Sequence, residues 1–233
     1  MLLMTLDIET TGLDKSKDRI IELGMVMYDL GKKTIVRMLS CLVMPQGDIP
    51  MDHWEASEKI HGISWITLQQ YGMPERAAFQ YLLSWCNLAD YIAGHNVLLF
   101  DKPFLEAWAT SRGEKLPKKL WIDTLSDLPV QGTRLVWMMA EHAGIINPFP
   151  HRAVFDALGV LQLITHFGAE TVIERAKLPS ITIQAEISYD DRQKAKERGF
   201  HWQAETRRWL KTIKEPDLAK EQMDAGFLIA VVK

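Results

Sequence analysis

Residues 2–12 read LLMTLDIETTG, an apolar run that carries Asp7 and Glu9 and stops at a turn signal. Strand side chains alternate faces with a period of two, so a strand here points Asp7 and Glu9 to the same side. Two carboxylates that close repel each other and raise at least one pKa unless something neutralises them. A solvated strand end ahead of Thr10-Thr11-Gly12 is one reading. A hard cation held by both carboxylates is the other, and it requires more carboxylates further along the chain.

The pattern after this run sets the fold class. RIIELGMVMYD (19–29) and TIVRMLSCLVM (34–44) read as strands, and the tight connection at 30–33 makes them a hairpin. Pro45, Gly47 and Pro50 mark a loop. EASEKIHGIS (55–64) is a short helix ending at Gly62, and PERAAFQYLLSWCNLA (74–89) has apolar residues at helical spacing behind Pro74. Helices are expected over 102–113, 133–144 (capped by Thr133) and 152–168, with strands at 91–96 and 119–123. Three antiparallel strands followed by alternating helices and strands make an α/β sheet with helices packed on it. KLPS (177–180) reads as a linker, after which ITIQAEIS, a helix stopping at Gly199, a strand pair over HWQAETRRWLKTI, a helix from Pro216 and FLIAVVK form a small α+β module. The expected organisation is a main domain over 1–176, the linker, and an accessory domain over 181–233.

Composition narrows the function classes. The chain has 233 residues, enough to bury a sizeable core, and a net charge of −3, so it has no global attraction for polyanions. Charge is uneven: residues 1–179 hold 17 Lys+Arg against 21 Asp+Glu, while residues 180–233 hold 10 against 9. Two cysteines, Cys41 and Cys86, give neither a disulfide framework nor a zinc spacing and fit a reducing, cytoplasmic setting. There is no signal-peptide pattern, and no apolar run approaches the ~18 residues of a membrane span.

Further carboxylates do follow. Asp101 stands in GHNVLLFDKPFL at a strand-to-helix junction, and Asp156 in HRAVFDAL on a strongly apolar helix, where a bare carboxylate needs a partner. His151 precedes Asp156 by five residues, or ~500° of helical rotation, so it belongs in the preceding loop and reaches across from there.

Together, DIETTG, HNVLLFD and HRAVFD resemble the three ordered motifs of the DEDDh (DnaQ-like) 3′–5′ exonuclease superfamily, and IHGI (60–63) and WIDTL (121–125) are similar to it as well. The resemblance covers about residues 2–168. It implies an RNase H-like fold, in which Asp7, Glu9, Asp101 and Asp156 hold two Mg2+ or Mn2+ ions and His151 is the general base. The chemistry agrees: phosphodiester hydrolysis needs a nucleophile made from water and a stabilised leaving oxygen, which two metals can supply. Oxygen ligands favour Mg2+ or Mn2+, and an imidazole suits proton abstraction near neutral pH.

Other residues carry weaker signals. His61 matches a family position near the terminal nucleotide, and Thr10 and Thr11 are candidates to present backbone N–H groups to it. His95 and Asn96 read as braces of the second-motif loop, and Asp123 as a helix cap. Trp54 and Trp65 are candidates to stack on a base. In the C-terminal module Arg207, Arg208 and Trp209 combine cations with an aromatic ring, as single-strand binders do, although nearby acids nearly balance the charge. The expected activity is removal of nucleotides from DNA 3′ ends, single-stranded or duplex. The alternatives are an RNase T-like exoribonuclease and a proofreading subunit partnering a separate polymerase or repair complex.

Overall fold

The computed structural model describes residues 1–47, 54–130 and 132–232; Pro50, expected in a loop, lies outside them. The first strand, β1 (Leu2–Thr10), carries both Asp7 and Glu9. It pairs antiparallel with β2 (Ile20–Asp29), which pairs antiparallel with β3 (Thr34–Met44). A two-residue strand, β4 (Met73–Pro74), adds beside β3. On the other flank β5 (Tyr91–Gly94) and β6 (Leu120–Asp123) run parallel to β1, giving the order β4-β3-β2-β1-β5-β6. This is the mixed sheet that the sequence pattern calls for.

Alternation along β1 sorts the core into two layers. Met4, Leu6 and Ile8 pack with α3 (Glu75–Leu88) and α4 (Asp101–Thr110). Leu3 on the opposite face packs with α5 (Leu135–Met138), α6 (Ala153–His166) and α7 (Ala169–Lys177). Asp7 and Glu9 share the parity of Leu3 and therefore sit on the α6 side, at the end of the strand. The first turn of α6 lies directly on β2 at Gly24, the register partner of Asp7: a Cβ on Gly24 would fall 2.1 Å from the Ala153 carbonyl carbon. The Thr5 hydroxyl donates to the Ala157 carbonyl (2.7 Å), tying the same helix to β1.

Several local expectations shift. Two short helices flank Gly62, α1 (Trp54–His61) before it and an additional one, α2 (Trp65–Tyr71), after it, the latter capped by Ser64 accepting from the Thr67 N–H. Trp54 is only 3% exposed and its indole donates to Glu58, so it is core rather than a stacking surface. The expected helix over 133–144 begins at Leu135 without a Thr133 cap and runs on as a π-turn, Met139–Ala143, before Gly144 ends it in a left-handed conformation. Asp123 opens a turn, not a helix: its carboxylate accepts from the Leu125 N–H and, across the fold, from the Asn96 and Leu98 N–H groups.

The second sheet, β10-β7-β9-β8, is antiparallel throughout: β7 (Ser180–Glu186), β8 (His201–Gln203), β9 (Arg208–Lys214) and β10 (Leu228–Val231). With α8 (Arg192–Glu197) and α9 (Leu218–Asp224) it encloses its own small core around Ile183, Ala195, Phe200 and Ile213. This module abuts the loop after β5, leaving a cavity of about 230 Å³ between Leu98 and Leu99 on one side and His201 and Ile213 on the other.

Candidate active site

The fold brings the four carboxylates to one end of β1. Asp7 and Glu9 come from the strand itself. Asp101 opens α4, where its Oδ1 accepts from the Ile8 N–H at 3.0 Å and its charge acts on Asp7. Asp156 lies in the first turn of α6, its two oxygens accepting from Asn147 Nδ2 (2.6 Å) and the His151 N–H (2.9 Å). Ligand atoms of Glu9, His151 and Asp156 all lie within 4.8 Å of one another. His151 is in the loop ahead of α6, exposed, with φ at +59°, a left-handed conformation that the Asp156 hydrogen bond holds in place.

Electrostatics mark the cluster as short of positive charge. Burial, then repulsion from Asp101, Glu9, Asp156 and Glu22, pushes the Asp7 carboxyl well above the usual carboxylate range. Burial, then Glu22, pushes Glu9 up to about 8. Burial likewise raises Asp101 to about 8, against its hydrogen bonds, and Asp156 to about 6, against the bond from His151. Among the described residues neither the Asp7 nor the Glu9 side chain accepts a hydrogen bond. This donor set, all oxygen with one imidazole at its edge, fits hard divalent cations.

Glu22 is a member of the site that the sequence reading passed over. It is 1% exposed and stands opposite Glu9 in the β1–β2 register. Arg152 binds it through Nε and Nη2 (2.8 Å for the shorter contact), and the Ala153 N–H donates to it at 3.1 Å. Glu22 thus fixes the start of α6, and with it the residues on either side, His151 and Asp156. The available signal was its parity: Glu22 falls on the same face as Gly24 and Val26, under α6.

The remaining candidates separate. His61 is 4% exposed; its Nδ1 accepts from the Ile63 N–H, so Nε2 carries the proton, and that donor has no partner among the described residues. Burial lowers its pKa, and Glu22, Arg152 and His151 all act on it, which places it beside the cluster. Thr11 is fully buried, with its N–H taken by the Arg19 carbonyl and its hydroxyl by Asp18, while the Thr10 hydroxyl bonds the Gly12 carbonyl. Both threonines build the turn, and the Thr11 N–H is not free for a ligand. His95 bonds the Thr124 hydroxyl through Nδ1 and braces the second-motif loop as expected. Arg207 and Arg208 are exposed on the β8–β9 hairpin, and Trp209 packs against Trp202 at 5.5 Å; these three do not join the carboxylate cluster.

Residues 4–164 match the sequence profile of the exonuclease family, RNase T type. The chain belongs to that family. The chain is 31% identical over 188 residues to the PolC-type DNA polymerase III of Thermotoga petrophila, an alignment spanning 79% of this chain and 13% of the polymerase. In fold it is similar to Escherichia coli exonuclease I in complex with a dT13 oligonucleotide (TM-score 0.55, 16% identity, 79% of this chain) and spans 48% of that protein's length. It is similar also to the nuclease domain of 3′hExo, a DEDDh family member bound to rAMP (TM-score 0.56, 16% identity, 72% of this chain and 94% of that one). Residues 181–227 match a family described as a domain of unknown function. Among the chain's described residues no helix is long and apolar enough to cross a membrane.

Proposed function

We propose that the chain is a 3′–5′ exonuclease that removes nucleotides from DNA ends by metal-assisted hydrolysis. The observation that carries this reading is the convergence of Asp7, Glu9, Asp101 and Asp156 with His151 at the end of β1, all four carboxylates held above their ordinary pKa values. When bound by these carboxylates, two Mg2+ or Mn2+ ions would neutralise the scissile phosphate and the departing 3′-oxygen. The protein's own residues do the rest. Ile8 N–H aims the Asp101 carboxylate, while Asn147 and the His151 N–H aim Asp156. The His151 ring takes a proton from the attacking water, acting from a loop whose backbone is fixed by Asp156. The buried His61 Nε2–H, unpartnered beside the cluster, is the candidate donor to the terminal nucleotide. The relation to a polymerase of PolC type supports DNA as substrate and a polymerase as partner; ribonucleotide ends, the alternative, differ at the 2′-OH.

We assign the accessory domain to 181–233 and give its hairpin a tethering role, with Arg207 and Arg208 on phosphates and the Trp202–Trp209 pair against bases.

End-labelled DNA and RNA oligomers, single- and double-stranded, test the reading when incubated with Mg2+, with EDTA and with an Asp7→Asn variant. Shortening from the 3′ end that needs metal and falls to background in the folded variant is expected, with DNA cleaved faster than RNA. Undiminished cleavage by folded Asp7→Asn would overturn the metal-assisted mechanism.

A further inference from the structure

We propose that Lys214, in the C-terminal module, is a positioning residue for the nuclease site, acting through a buried carboxylate relay that ends at the loop carrying Asp101. The inference rests on the reading above in so far as Asp101 is a metal ligand.

The relay is continuous in hydrogen bonds. Lys214 Nζ lies 2.9 Å from Asp127 Oδ1, with the two side chains 5% and 1% exposed. The other Asp127 oxygen accepts from the Asp123 N–H at 2.8 Å, and the Asp127 N–H returns to the Asp123 carbonyl at 2.7 Å. The Asp123 carboxylate then accepts from Asn96 N–H (2.8 Å) and Leu98 N–H (3.1 Å). Those residues form the turn that hands the chain to α4: the Asn96 carbonyl accepts from Leu99 and Phe100, and Val97 from Lys102. Asn96 itself has φ at +56°, a conformation that the Asp123 bonds hold. Asp101 follows immediately and is aimed at Asp7 through Ile8.

Charge explains why the lysine matters. Asp123 and Asp127 are both buried, with the Asp127 carboxylate against the Asp123 N–H; burial first, and repulsion from Asp127 after it, raises Asp123 to about 6. Lys214 offsets that repulsion. Its two remaining protons are shared among the Ala176 and Leu178 carbonyls and the Ser180 hydroxyl, so it is locked in place rather than swinging at a surface. Replacing it by an apolar residue leaves a buried charge uncompensated, which proteins resolve by moving the charged group or admitting water. The groups held by the Asp123 carboxylate, and so displaced with it, are those of the Asn96–Leu98 turn. A second ion pair across the same junction, Arg175–Asp217 at 2.7 Å, meets the relay only at the Asp127 backbone carbonyl, where Arg175 Nε donates at 3.1 Å; Asp217→Asn keeps that donor in place and leaves the Asp127 and Asp123 carboxylates untouched, so it supplies the control.

The test uses the full chain as Lys214→Met, Asp127→Asn and Asp217→Asn. Amide exchange by mass spectrometry over residues 95–104 reads the relay, and Mn2+ titration by calorimetry reads its end. In Lys214→Met, exchange over 95–104 should accelerate about tenfold and Mn2+ affinity fall about tenfold, in the range typical of outer-shell partners. Asp127→Asn leaves Lys214 its three other oxygen acceptors, so it carries the test if Lys214→Met does not fold; it should show the same two changes. Asp217→Asn should show neither. Unchanged exchange over 95–104 in the folded Lys214→Met or Asp127→Asn protein overturns the relay, as does an equal effect of Asp217→Asn. Absence of Mn2+ binding to the wild type would count against the metal reading instead, leaving the exchange result to decide the relay.

Discussion

Two groups of inward carboxylates occupy this molecule, and they are treated in opposite ways. Asp123 and Asp127 accept backbone N–H groups and a buried lysine until their oxygens are spoken for. Asp7 and Glu9, half-buried at the end of β1, accept nothing, and Arg152, the cation beside them, is committed to Glu22. A chain that can satisfy one pair so fully has left the other short of charge for a reason other than folding. Satisfied acids shape the backbone; unsatisfied ones await a ligand.

The contrast can be broken most sharply at His151. His151→Ala should keep its Mn2+ affinity within a few-fold while kcat falls by roughly 10²–10⁴, the usual worth of a general base. A near-wild-type rate in the folded variant would show that another group takes the proton. Glu22 comes next, because it belongs to both classes: a satisfied acid inside the unsatisfied cluster. Glu22→Gln keeps an oxygen for the Ala153 N–H but loses the ion pair to Arg152, so steady-state assays should show a kcat loss of about 10–100-fold. Loss of the same size in Arg152→Lys, with a normal circular dichroism spectrum, would trace the defect to the pairing itself.

The smallest effect is thermodynamic. In metal-free protein Glu9 and Asp101 titrate at about 8, against about 4 for unfolded carboxylates. Between those values the native state binds more protons than the unfolded one, so stability falls as pH rises from about 4 to 8. An ordinary salt-bridged acid does the reverse. Melting in EDTA should therefore occur at a lower temperature at pH 8 than at pH 5.5, with Mg2+ restoring most at pH 8. A metal-free protein equally stable at both would place a neutralising group inside the cluster.

Much of this was legible in the sequence. The β1–β3 start declares itself through long alternating runs and a tight turn, and the four acids through their position at strand and helix ends. What stayed hidden had too short or too irregular a signal. The nine-residue α7 helix fully buries only Val172 and Ile173 and completes its inward face with two alanines, Ala169 and Ala176, too small to make the period stand out, and α2 is seven residues long behind a single serine cap. Glu22 reads as a surface acid until the register sets it opposite Glu9. The Lys214 relay joins residues 87 positions apart and has no local pattern at all.

The seating of α6 on β2 bears on how this sequence can drift. At Gly24 the helix backbone occupies the volume any side chain would need. Every amino acid reachable from a glycine codon by one base change brings at least a Cβ. Position 24 therefore has no neutral neighbour in sequence space, and a lineage that keeps the carboxylate cluster under α6 keeps this residue with it.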